Sequence, residues 1–325
     1  VRILVLGAAG FVGSNLLSRL CHSSVETGRS STTTIVASDI RKPVSGWPRN
    51  YGGDVAFVEG DITNAMFTAQ LFSKPVDCVF HLAAALTLDA EMDFGRGLDI
   101  NVHSLMRLLE HCRAQAQPPT FIFASSISSF GGPLPAVVDD YVFQTPQTSY
   151  GAHKVIAEQL INDYSRRGYV DGRVLRFPVV LTHPGPATAS VSDRIASLIR
   201  EPLSGRNTVC ALRRDTPIAV VSVEKIVDSL LKLCQLPSGV FKDTRAMNQP
   251  ALTVTPAEIV AGVERVAAER TGMPHGSVTW APDAQMQRIV DGWPSNFTSS
   301  LALQNGITAD KSVNAMIDAY LSAKE

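Results

Sequence analysis

Charge is scarce in this chain and neither sign prevails: 30 Asp and Glu stand against 29 Lys and Arg, for a formal net charge of -1. Proteins that hold nucleic acid or an anionic membrane through charge carry a basic surplus, so neither is expected as a partner. Long apolar runs are also missing, and none reaches the roughly 18 residues that a membrane-spanning helix needs. Cysteine is sparse. Cys21, Cys78, Cys112, Cys210 and Cys234 are odd in number and scattered, with no C-x-x-C pair. That pattern suits core thiols in a reducing compartment, so a cytoplasmic location and no metal are expected. The apolar opening, VRILVLGAAG, lacks a basic stretch followed by a long hydrophobic run and reads as a buried strand rather than a leader. Internal repeats and low-complexity tracts are absent.

What is present is apolar. Hydrophobic residues make up 45% against 18% charged, enough to bury a large core. The first half alternates short apolar runs with segments of helical period. Strands are expected at 2–6, 34–38, 55–59, 77–81, 120–124 and 173–177, and helices at 11–20, 64–72, 94–112 and 150–164. The strand runs are continuous rather than alternating, as in strands covered on both faces. Strand–helix–strand repetition predicts an α/β fold with a doubly wound parallel sheet, a Rossmann fold. After about residue 180 the texture changes, with further helices expected at 192–200, 223–234, 256–270 and 309–322. The expected division is a dinucleotide-binding domain over 1–180, to which 220–248 returns, and a smaller substrate lobe over 181–325.

Gly7-Ala8-Ala9-Gly10-Phe11-Val12-Gly13 follows the first strand and opens the first helix. Glycine at the first position allows a tight turn, at the second a close approach to a pyrophosphate, and at the third close packing of helix on strand. The helix N-terminus offers N–H groups and the positive end of its dipole to the phosphates. Asp39, closing the second strand, can accept both hydroxyls of an adenosine ribose, which favours NAD. Arg41 and Lys42 nearby could instead meet the 2′-phosphate of NADP, so NAD is the preferred rather than the sole reading.

Tyr150 and Lys154 stand four apart on one helical face. A tyrosine is a poor base at neutral pH, and a lysine ammonium beside it favours the phenolate. The pair could then take a hydroxyl proton as hydride leaves for a nicotinamide. Upstream, a buried strand ends in Ser125 and Ser126, at the sheet end where ligands of such folds sit. Ser126 is the expected catalytic hydroxyl, and Ser125 is expected on the substrate side.

Together GAAGFVG, HLAA at 81–84, FASSISSFGG at 123–132 and YGAHK at 150–154 resemble the extended short-chain dehydrogenase/reductase family, which includes sugar-nucleotide epimerases and dehydratases. The resemblance runs from the first strand to about Pro186. It implies that Gly7, Gly10 and Gly13 hold the pyrophosphate, with Phe11 and Val12 following into the helix. Asp61 and Ile62 would flank the adenine, and Leu82, Ala83 and Ala84 would line the dinucleotide. Asn101 would sit on the helix behind the active site, and Phe177 is counted among the cofactor contacts. Ser126, Tyr150 and Lys154 take the catalytic positions, the last two also touching the cofactor. The family resemblance further implies a homodimer through helices 94–112 and 150–164.

FGGPLPAVVDD, TPQTSYGAHK, INDYSRRGYVDGR, REPLSG and RDTPI are similar to a narrower group within that family, which oxidises the C2 hydroxyl of a four-carbon sugar acid with NAD. The implied partner is a small aldonate substrate. Its carboxylate needs a cation or a set of donors, for which Arg213, Arg214, His183 and Thr145 are the candidates. An epimerase or dehydratase with tightly held NAD is the alternative. Against it, Arg176-Phe177-Pro178-Val179-Val180 lacks the asparagine found where nucleotide-sugar enzymes often read R-Y-F-N. A non-catalytic dinucleotide sensor is the third reading; such relatives commonly lose the tyrosine–lysine pair, which this chain keeps.

Overall fold

In the computed structural model, the structure describes residues 1–26, 33–42, 54–181, 190–242, 244–270 and 275–322. His183 lies outside them. The chain begins with β1 (Arg2–Leu6), α1 (Phe11–Glu26), β2 (Thr34–Asp39), β3 (Asp54–Glu59), α2 (Ala65–Leu71) and β4 (Cys78–His81). Two short helices, α3 (Thr87–Met92) and α4 (Phe94–Leu98), lead through a π-helical turn (Asp99–His103) into α5 (Ser104–Arg113). Next come β5 (Thr120–Ser126), α6 (Ser149–Arg166), β6 (Asp171–Phe177), β7 (Val179–Leu181), α7 (Val191–Arg200), β8 (Thr208–Cys210) and β9 (Ile218–Ser222). The rest is α8 (Val223–Gln235), β10 (Ala246–Asn248), β11 (Leu252–Val254), α9 (Pro256–Glu269), β12 (Val278–Trp280), α10 (Ala284–Asp291), α11 (Ser300–Gln304) and α12 (Val313–Ser322).

Seven strands form one sheet in the order β10-β6-β5-β4-β1-β2-β3. The doubly wound fold read from the strand–helix alternation is thus the one observed. The chain walks outward from β1 to β3, then returns to lay β4 against the other side of β1. That reversal is the switch point at which open α/β sheets leave a crevice at the C-terminal ends of their strands. Register places those ends level, since Leu6 pairs with Ser38 of β2 and with His81 of β4, both in parallel.

The residues divide into two compact units. The first comprises Val1–Ser125, Ala152–Arg176 and Leu230–Met247. Its core is the continuous apolar strands, with Leu4, Leu6, Val79, Phe121 and Phe123 packed against Leu105, Leu108 and Leu109 of α5 and Ala157 and Ile161 of α6. The second comprises Ser126–Gly151, Phe177–Ser229 and Asn248–Glu325. It carries a three-stranded sheet, β11-β9-β7, and a two-stranded one, β12-β8. Helices α7, α9 and α12 supply Ile195, Ile199, Ile259, Val263, Ile317 and Tyr320 to its core.

Helix α1 runs six residues past the expected 11–20, and two other helices differ from the pattern read in the sequence, each with a local cause. The expected helix 94–112 is interrupted by the π-helical turn, inside which Asn101 bonds both the N–H and the C=O of Ala85, at 2.9 and 3.0 Å. The expected helix 309–322 starts at Val313 because Ser312 accepts from the Ala315 N–H and Asp310 is engaged by the N–H and hydroxyl of Ser222. Helix α9 opens as its sequence suggests, on a capping box of Thr255 and Glu258 with Pro256 in the first turn.

The second unit is cross-linked by one buried carboxylate. Asp140 accepts from the Asn248 N–H at 2.7 Å and from the Ser299 hydroxyl at 2.6 Å, joining segments more than a hundred residues apart. Replacing Asp140 with Ala strands both donors in the interior. The expected loss is about 2–4 kcal/mol of stability, read as a lowered thermal midpoint by calorimetry.

Candidate functional site

In the first unit, Gly7 turns with φ +80° and donates its N–H to Ser38 O at 2.9 Å. A Cβ on Gly7 would lie 2.6 Å from the Ala83 N, and one on Gly13 would lie 2.1 Å from the Gly7 O. At Gly10 a Cβ would approach the same oxygen to 3.2 Å. Glycine is therefore required at the first and third positions by backbone packing alone. Helix α1 starts at Phe11, directly after the loop, so its N-terminus lies there. Asp39 binds this loop from β2, its carboxylate accepting from the Ala9 N–H at 2.9 Å. Arg41 and Lys42 are both exposed.

Leu82 and Ala83 lie against Gly7 through their backbone, and Leu82 donates to Leu6 O at 2.9 Å. Asp61 accepts from the N–H and hydroxyl of Thr63, both at 2.8 Å, and Ile62 joins the core. A cradle closed to any Cβ, a helix N-terminus and a carboxylate at the end of β2 fit a dinucleotide. Those residues would hold its pyrophosphate and its adenosine ribose.

Lys154 lies in the same unit, fully buried. Its Nζ donates to Ala124 O at 2.7 Å and stands 4.4 Å from the centre of the Phe123 ring. Burial pushes its pKa down to about 7, while Glu158 opposes the shift. His81, at the end of β4, packs on Phe121 and Phe123. Burial, then the charge of Lys154, lowers its pKa to about 3, so the ring is neutral at physiological pH. Its Nδ1 has no hydrogen-bond partner among the described residues. His153 is buried with its Nδ1 3.3 Å from the Asn101 amide, so Asn101 bridges Ala85 to the helix that carries Lys154.

The two serines closing β5 have different partners. Ser125 donates to Glu158, which also receives the Arg176 guanidinium at 2.8 and 3.1 Å. All three side chains are almost wholly buried. Ser126, in the second unit, accepts from the Ser128 N–H at 3.1 Å and hydrogen-bonds the Tyr150 hydroxyl. Gly151, next to Tyr150, sits so close to this segment that a Cβ would lie 2.0 Å from the Ser128 O. The expectation that Lys154 lowers the Tyr150 pKa is corrected by this arrangement. Burial raises Tyr150 to about 12, and only the Ser126 hydrogen bond pulls the other way. The helical spacing of the pair is as read, but desolvation outweighs it.

Three of the residues offered for a substrate carboxylate have partners. Arg213 pairs with Asp291 at 3.0 Å, and Arg214 lies over the Trp280 ring at 4.5 Å. Thr145 donates its hydroxyl to Gly131 O at 2.5 Å. Phe177 closes β6, half-buried. Sequence reasoning missed the Glu158–Arg176 pair and the two buried histidines. The signals were there: Glu158 falls one turn after Lys154, and Arg176 interrupts an apolar strand where a charge needs a partner.

The model of the NAD-dependent epimerase/dehydratase family matches residues 3–235. The chain belongs to that family. Among its relatives, the D-erythronate dehydrogenase of Cupriavidus necator is 34% identical over 322 residues, covering 99% of this chain and 98% of that protein. The D-erythronate dehydrogenase of Haemophilus influenzae is 30% identical, with 99% of each chain covered. Among solved structures, a nucleoside-diphosphate-sugar epimerase from Agrobacterium tumefaciens superposes with a TM-score of 0.88 at 29% identity, covering 99% of this chain and 93% of that one. Membership makes the chain an NAD-dependent enzyme of oxidoreductase type, matching what its glycine loop and tyrosine–lysine spacing suggest. Among the described residues, no helix is long and apolar enough to cross a membrane.

The buried ion pair gives a direct check on local energetics. Glu158→Leu leaves the Arg176 charge uncompensated and is expected to cost about 3–5 kcal/mol. Adding Arg176→Met should restore most of that loss, because an apolar pair of similar volume needs no counter-charge. Thermal unfolding of the single and double variants compares the two.

Proposed function

We propose that this chain is an NAD-dependent dehydrogenase that oxidises the C2 hydroxyl of a small sugar acid of the D-erythronate type. The observation that carries the reading is the hydrogen bond between the Ser126 and Tyr150 hydroxyls, on a chain similar along its whole length to two D-erythronate dehydrogenases. Bound NAD supplies the hydride acceptor. The preference for NAD over NADP rests on Asp39, whose carboxylate is held against the phosphate loop by the Ala9 N–H.

Tyr150 is the base in this reading, and Ser126 holds the oxygen that loses its proton. Deep burial keeps the resting phenol protonated, and the Ser126 hydrogen bond favours its ionised form. Lys154 lies one turn further along the same helix, where the Ala124 carbonyl fixes its Nζ, and by family analogy it would hold the cofactor's nicotinamide ribose. Gly7, Gly10 and Gly13 take the pyrophosphate, with Phe11 and Val12 beside it. Asp61, Ile62, Leu82, Ala83, Ala84, Asn101 and Phe177 complete the cofactor's surroundings by family analogy. Ser125, bound to Glu158, is a support for the strand end. Arg213, Arg214, Thr145 and His183 stand as candidates for the carboxylate. The absence of an asparagine after Phe177 favours a dehydrogenase over a nucleotide-sugar epimerase, and five free thiols suit a cytoplasmic enzyme.

Incubating the enzyme with NAD and a panel of four-carbon aldonates should produce NADH, followed by its absorbance. Turnover on none of them overturns the substrate class. Tyr150→Phe should lower kcat by ~10²–10⁴-fold with little change in the dissociation constant for NAD. Retention of full activity in that variant overturns the role of Tyr150.

The same reading includes a homodimer. Met92, Phe94, Met106 and Ile156 of the first unit are large, apolar and exposed, on or beside the helices expected at the interface. Sedimentation of the wild type should give a species of twice the 34.9 kDa chain mass, and Phe94→Asp with Ile156→Asp should shift it to the monomer. A wild-type monomer at all concentrations tested rules the dimer out.

A further inference from the structure

The five cysteines are not equivalent. Cys21, Cys112 and Cys210 are buried, and burial raises the pKa of each, Cys21 to about 11. Cys78 and Cys234 are 156 residues apart in sequence, yet their sulfurs stand 3.6 Å from each other inside the first unit. Cys78 is buried at the start of β4, and Cys234 is half-buried in the last turn of α8. We propose that Cys78 and Cys234 are a modification site, a thiol pair that a hydroperoxide converts to a disulfide between the first residue of β4 and the end of α8.

Three features of the site support the chemistry. The sulfurs need to close from 3.6 Å to the roughly 2.0 Å of a disulfide, a movement that side-chain rotation and the last turn of a helix can absorb. Arg173 stands at the site, its guanidinium donating to the carbonyls of Leu233 and Cys234 at 2.6 and 2.8 Å. The hydrogen bond from Cys78 favours the Cys234 thiolate most and the Arg173 charge adds to it, against burial and the nearby Asp171. Cys234 is also the more exposed of the two sulfurs, and reactivity follows thiolate character and access.

The sequence of steps is then determined. The Cys234 thiolate attacks one oxygen of the peroxide, giving a sulfenic acid and releasing hydroxide. The Cys78 sulfur attacks the Cys234 sulfur, its proton and the sulfenic hydroxyl leave as water, and the S–S bond forms. Two thiols are oxidised and one peroxide is reduced to two waters.

Treating the purified full chain with hydrogen peroxide, then removing it, tests the site. The thiol count under denaturing conditions should fall from five to three. The intact mass should drop by about 2 Da, and a thiol reductant should restore both. A digest without reductant should contain the Cys78 peptide joined to the Cys234 peptide. In Cys78→Ser, the same treatment should stop at a sulfenic acid on Cys234 that dimedone traps. Five thiols surviving in the wild type, a different pair joined, or over-oxidation of Cys234 with Cys78 still a thiol would each overturn the proposal. The wild-type readouts stand whether or not the variant folds.

Discussion

Glu158 and Arg176 face each other in the interior of the first unit, with two nitrogens of the guanidinium bonded to the carboxylate. Removing two such charges from water costs several kcal/mol each, and only good geometry with every lone pair used recovers it. Ser125 supplies the further donor that the carboxylate needs. The arrangement tolerates little displacement, and it lies on the elements that carry the candidate chemistry. Glu158 is one turn beyond Lys154 on α6, Ser125 adjoins the Ala124 carbonyl that holds Lys154, and Arg176 lies on β6. A shift of the pair would move the strand end and the lysine together.

That constraint separates two neighbouring hydroxyls that look alike in the sequence. Ser125 faces the buried carboxylate and is consumed by it. Ser126 points the other way, as alternate residues of a strand must, and meets Tyr150. The polarity of the surroundings follows the same division. His81 and Lys154 share aromatic, dry surroundings in which neither readily holds a charge, and a positive Lys154 further discourages protonation of His81.

Much of the fold was legible because its strands are covered on both faces and its helices have regular period. The six strands expected in the first half all occur, and helices such as α2, α6 and α7 begin within a residue of where the pattern places them. The short strands β7, β8, β10, β11 and β12 span three residues each, too few for any periodicity to register. The π-helical turn was invisible because apolar spacing continues through it, and only the partners of Asn101 reveal it. At the site, the glycine loop was readable since backbone clashes forbid a Cβ at its first and third positions. The pKa of Tyr150 was not, because burial is a property of the folded chain rather than of the Y-x-x-x-K spacing. The substrate candidates were chosen as cations or donors, and the partners that Arg213 and Arg214 have in Asp291 and Trp280 could not be read from spacing.

The chain passes from one compact unit to the other five times, at 125/126, 151/152, 176/177, 229/230 and 247/248. No single cut in the gene yields either unit whole. All five passages fall inside an element: β5, α6, β6, α8 and β10. Recombination that swaps continuous segments would therefore break helices and strands rather than exchange lobes. Change on this scaffold is reached by substituting side chains in place, with both units inherited together.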